Sequence, residues 1–167
     1  MNGVWIDKTK EMTVTQGSVQ VVEITPKTGS PLKVVDYKIV ATNYEDDPLK
    51  YEFPKKEGDI KLIIQVLGDQ GATLPTPLKT GTYQASQLSD GENVYGKTWH
   101  LLVQYFEGGK VQSASINADY PKGTRKGFVK INSVTVDKLT GEIDLAMSEK
   151  GSVKGTFFAK LPQVTGY

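Results

Sequence analysis

Apolar residues recur in this chain with a period of two, and clusters of Gly, Pro, Asn and Asp interrupt them roughly every 8 to 12 residues. A helix buries a stripe with a period of 3.6 and a strand buries every second residue. The pattern therefore predicts an antiparallel all-β chain with little or no helix. The clearest strand is 152–161, where Val153, Gly155, Phe157, Ala159 and Leu161 share one face and Ser152, Lys154, Thr156 and Lys160 the other. Ile143, Leu145 and Met147 alternate with Glu142, Asp144, Ala146 and Ser148, and 148–151 supplies a hairpin connection between these two strands. With 128–136 as a third strand and 137–141 as its turn, the C-terminus reads as a three-strand meander.

Upstream, 98–106 and 111–118 flank Gly108-Gly109, whose paired glycines suit a tight hairpin. Residues 59–67 are nearly continuous in apolar side chains (Ile60, Leu62, Ile63, Ile64, Val66, Leu67), which predicts a central strand covered on both faces. Residues 33–42 alternate with Val35, Tyr37, Ile39 and Ala41 on one side. Shorter strands are expected at 19–24, 49–53, 80–84 and at Trp5 or 12–15, and Pro75-Thr76-Pro77 marks a long loop. The sum is an antiparallel β-sandwich, or a closed lipocalin-like β-barrel of similar size, over a single domain, 1–167. A length of 167 residues and an apolar share of 38% suit one core.

Charge excludes several partners. Twenty basic and 19 acidic residues leave a net charge of +1, so no long-range field steers the chain to a polyanion. Arg125 is the only arginine, and arginine is the usual bidentate reader of phosphate and guanine, which argues against nucleic acid. No apolar run approaches the ~18 residues of a membrane helix, and Pro162 and Gly166 would break a last strand of a membrane barrel. The absence of cysteine removes thiolate nucleophiles, disulfides and cysteine zinc sites. Residues 1–5 carry no export signal, so either the chain acts in the cytosol or an export signal precedes Met1.

His100 is the only histidine and lies within an expected strand, where a hydrogen-bonded structural role outweighs that of a catalytic base. Glu142 and Asp144 stand ~7 Å apart on one strand face, a spacing open to a glycosidase pair, but among lysines they read as solvated charges. No glycine-rich phosphate loop leads into a helix, so no cofactor is expected. Asn43, Glu45, Asp46 and Asp47 form an oxygen-rich loop of the donor type that calcium takes, without EF-hand spacing; Asp90-Gly91-Glu92-Asn93 is a second. Both also have ordinary turn composition. Lys122, Arg125 and Lys126 form a basic loop open to an anion or an acidic partner, with solvation as its default. Aromatics fill β cores and cross-strand ladders by default; among those here, Trp99, Tyr44, Tyr95 and Tyr120 are the candidate ligand contacts of a sugar-stacking platform.

Thr80-Gly81-Thr82-Tyr83, 127–134, Leu139-Thr140-Gly141 and Val153-Lys154-Gly155-Thr156-Phe157 resemble a loosely defined group of exported bacterial β-domains of unknown function, often lipoproteins or surface proteins. The resemblance covers roughly half the chain. It implies export to the periplasm or cell surface and a lipid anchor outside this chain for membrane tethering, and it supplies no catalytic residues to carry over. The expected function is thus that of a non-enzymatic cell-envelope or surface domain that binds or scaffolds an unknown protein or glycan partner. The alternative is a module for carbohydrate or a small apolar ligand.

Overall fold

The computed structural model describes residues 3–6, 10–24, 34–46, 52–69, 71, 77–86, 95–115, 126–146 and 152–162. Among these residues there are strands and no helix. The strands are β1 (Gly3–Ile6), β2 (Lys10–Thr13), β3 (Gln16–Ile24), β4 (Val34–Thr42), β5 (Ile60–Leu67), β6 (Gly81–Gln84), β7 (Thr98–Glu107), β8 (Lys110–Ser115), β9 (Lys126–Val134), β10 (Lys138–Ala146) and β11 (Ser152–Lys160). The period-two pattern accounts for them: Val35, Tyr37, Ile39 and Ala41 of β4 are buried together, as are Val153, Phe157 and Ala159 of β11.

The hydrogen-bonded path runs β6-β9-β10-β11-β3-β4-β5-β7-β8, with β1 and β2 branching from β11. All its pairings are antiparallel except β11 with β3, which meet in parallel at the single pair Lys160–Ser18. The sheet is open and mixed, not a closed barrel. Its β6 end meets β7 at the bridge between Ala85 and Thr98, where Thr98 Oγ1 also donates to Tyr83 O (2.9 Å). It folds over one core, in which Ile39, Ile64 and Leu101 from one section cluster with Ile131, Ile143 and Phe157 from the other. Two corners make the fold. At one, the chain leaves β2, and Thr15 donates its N–H to Thr42 O (2.9 Å) as β3 begins. At the other, Ala85 bonds Gly127 while Ser86 bonds Thr98.

Gly17 permits the β3–β11 crossing, because a Cβ there would run into the backbone of Phe158 and Ala159. At the β7–β8 hairpin, Gly108 and Gly109 take φ of 64° and 77°, the two positive angles that a two-residue turn of this kind needs. Two expectations are corrected. The 137–141 turn lies earlier: Thr135 N–H donates to Lys138 O (2.8 Å), and Leu139, Thr140 and Gly141 are already in β10. Gly141 is required there for space, since a Cβ would sit 2.6 Å from Phe157 Cζ. In the 49–53 segment, Glu52 and Phe53 are not in a strand, and 49–51 lie outside the described residues.

Candidate functional site

β5 is buried on both faces, as its apolar run requires. The inner face joins the core, and Asp46, Glu52 and Phe53 from the connection between β4 and β5 lie over the outer face. Asn43 closes this connection: its amide nitrogen donates to Gly58 O (2.8 Å) and its amide oxygen accepts Ile60 N–H (2.7 Å). Asp59 turns the chain just before β5, accepting the N–H groups of Lys55 (3.1 Å) and Lys56 (3.0 Å) on one carboxylate oxygen. Glu57 ties the connection to the neighbouring hairpin by accepting Gly109 N–H (2.9 Å).

Beneath it lies a cavity of about 260 Å³. Strand register builds its floor as parallel rows. Gln20, Lys38, Gln65 and His100 are successive cross-strand partners on β3, β4, β5 and β7, and Val40, Ile63 and Leu102 form the next row. Gln104 extends the floor, while Asp46, Glu52 and Phe53 form the wall. Phe53 is 56% exposed, a large apolar ring left at the rim. Two lysines (Lys38, Lys61) face two carboxylates (Asp46, Glu52), so these four charges sum to zero.

Two buried carboxylates organise the polar groups. Asp36 accepts Gln65 Nε2 (2.8 Å) and Trp99 Nε1 (3.2 Å), and the acceptor-only carboxylate fixes which way the Gln65 amide points. Burial pushes the Asp36 carboxyl above its ordinary value, against these hydrogen bonds and the positive charge of Lys38 and His100. Asp46 pairs with Lys61 at 3.2 Å, and Lys61 Nζ also donates to Glu52 O (3.1 Å). Tyr44 is pushed well up by burial and then by the carboxylates of Asp46, Asp59 and Glu52.

The sequence candidates are dispersed. Trp99 is tied to Asp36, with its ring 5.8 Å from that of His100 at the cavity floor. The Tyr44 hydroxyl is buried, and Tyr95 is half-buried in a turn before β7. Tyr120 and Asp47 lie outside the described residues, as do Asp90-Gly91-Glu92-Asn93, Lys122 and Arg125. Of the proposed calcium ligands, Asn43 is held by the backbone, Asp46 faces Lys61 and Glu45 is exposed. No group of three His, Cys, Asp or Glu is placed to hold a metal ion among the described residues. Glu142 and Asp144 are half-exposed and pair with Lys130 (3.9 Å) and Lys154 (3.7 Å).

The floor glutamines and Lys38 were not singled out from sequence. The available signal was alternation: polar residues at the outward positions of strands whose neighbour β5 has no wet face. A second, wider groove of about 900 Å³ opens where β11 departs from β3, between Val19, Val21, Val22 and Phe158, Leu161, and it shares Gln20, Val40 and Asp46 with the first. No helix among the described residues is long and apolar enough to cross a membrane. Comparison of the chain with protein families, curated proteins and solved structures finds no match.

Proposed function

We propose that this chain is a non-enzymatic binding module that holds a small polar ligand, of the carbohydrate class, in the cavity over the outer face of β4, β5 and β7. The observation that carries the reading is the in-register row Gln20, Lys38, Gln65 and His100 beneath the rim ring of Phe53. Glutamine amides both donate and accept, as sugar hydroxyls do, and an aromatic ring offers its face to the apolar side of a sugar. The cavity lies just below the ~300–1,000 Å³ typical of drug-sized ligands, which fits one ring or a chain end. The setting proposed is the cell envelope or surface, as the resemblance to exported β-domains implies.

Titration of the protein with methyl pyranosides, followed by backbone amide shifts, tests this. Binding should shift amides of β5 and β7. F53A and Q104A should each weaken it roughly three- to ten-fold, the loss expected for an apolar contact or one hydrogen bond. Saturable binding that ignores both substitutions would place the ligand elsewhere.

The groove beside β3 favours a second reading, a site for a small apolar ligand, because valines, Phe158 and Leu161 dominate it. Native mass spectrometry of protein incubated with medium-chain fatty acids separates the two. An adduct lost in F158A supports the groove, and a bare protein mass sinks it.

A further inference from the structure

One buried carboxylate in the cavity wall is only half satisfied. The side chains of Asp46 and Lys61 are 6% and 7% exposed. Asp46 Oδ2 takes Lys61 Nζ, whereas Asp46 Oδ1 is buried and has no hydrogen-bond partner among the described residues. Its main chain is held by Gln16 Oε1, which accepts the Asp46 N–H at 2.7 Å, and its carboxylate is held by Lys61 Nζ at 3.2 Å. A charged acceptor left buried and unpaired keeps its full desolvation penalty, so an atom in this position calls for a partner. Asp46 lines the cavity, which is where that partner can arrive.

We infer that Asp46 Oδ1 is the acceptor for one hydroxyl of a neutral, polyhydroxylated ligand, and that the Asp46–Lys61 pair is the specificity-determining contact of the pocket. This rests on the reading of the cavity as a ligand site. Charge decides between donors. Lys61 already neutralises the carboxylate, so a ligand ammonium would bring a second cation against a buried one, and the cost of like charges rises in a dry site. A ligand anion would face Asp46 and Glu52. A hydroxyl supplies the missing donor without adding charge and leaves its own oxygen for a glutamine amide. A site built to bond one hydroxyl rejects the analogue that lacks it far more strongly than an apolar pocket rejects a size change.

The test is a cycle between ligand and protein, using the methyl glycosides of glucose, galactose and mannose and their monodeoxy analogues on the full chain. In the wild type, removal of one particular hydroxyl should weaken binding at least tenfold. In D46L/K61M, which replaces the ion pair by apolar groups of similar size, the same deoxy analogue should bind no worse than its parent. D46A/K61M, which removes the acceptor and leaves no buried charge unpaired, repeats the cycle if the first double variant melts well below the wild type, and should show the same collapse of the deoxy effect. Equal losses for every deoxy analogue in wild type and variants would overturn the role of Asp46 while leaving the binding reading standing. Tighter binding of methyl glucosaminide than of every neutral glycoside would overturn the neutral ligand. No binding of any glycoside to the wild type would overturn the pocket reading and this inference with it.

Discussion

Asp36 places an ionisable group where its charge is poorly solvated, and the sign of its effect on stability follows. Burial raises its folded pKa above the ordinary 3.8. Between the unfolded and folded values the native state holds more protons than the unfolded chain, so this residue's contribution to stability rises as pH falls and is lost as pH climbs through the folded value. Asn at this position cannot ionise and so removes the penalty. The advantage of D36N over wild type in thermal melts should therefore be larger at pH 7 than at pH 4. A gap that stays constant or widens on acidification would show that Asp36 is not raised. Only the pH-dependent part of the difference is diagnostic, because the exchange also alters the bonds to Trp99 and Gln65.

The connection from β4 to β5 depends on Asn43, whose amide bonds both Gly58 and Ile60 across 15 and 17 positions of sequence. N43A should cost about 1–3 kcal/mol and raise hydrogen exchange at Lys56, Asp59 and Ile60 well above that of β9. Uniform acceleration across both regions would mean that the clamp serves the whole fold rather than the cover. Part of this element was legible in the sequence. The apolar run of β5 announces a strand with no wet face, and the structure bears that out. What covers the outer side was not legible, because Leu49 to Phe53 alternates like a strand, and pairing or crossing is decided by tertiary contacts such as Lys61 with the Glu52 carbonyl. Gly141 is a parallel case. A glycine after Leu-Thr reads as a turn, yet here it makes room for the Phe157 ring, and nothing local distinguishes the two uses. The cavity floor was hidden for a related reason. Alternation shows that Gln20, Lys38, Gln65 and His100 face outward, but only register shows that they face one another.

At the scale of the molecule, backbone bonding hardly couples the two sections of the sheet. They meet at the pair Lys160–Ser18 and at the bridge Ala85–Thr98. What couples them is the shared apolar core, to which both contribute fully buried side chains. If that core is the link, the sections unfold together, although few ladder bonds join them. Trp99 reports on β7; with W5F removing the other tryptophan, its fluorescence can be compared with hydrogen exchange at Val129 and Leu145 in β9 and β10. The urea midpoints of the two probes should coincide. F157A, which deletes a fully buried ring from β11, should lower both by an equal amount, equivalent to about 3–5 kcal/mol. A β9–β11 section that loses protection while Trp99 reports an unchanged midpoint would show two independent cooperative units. In that case the cavity over β4, β5 and β7 would rest on one section alone, and substitutions in β9–β11 would leave ligand binding untouched.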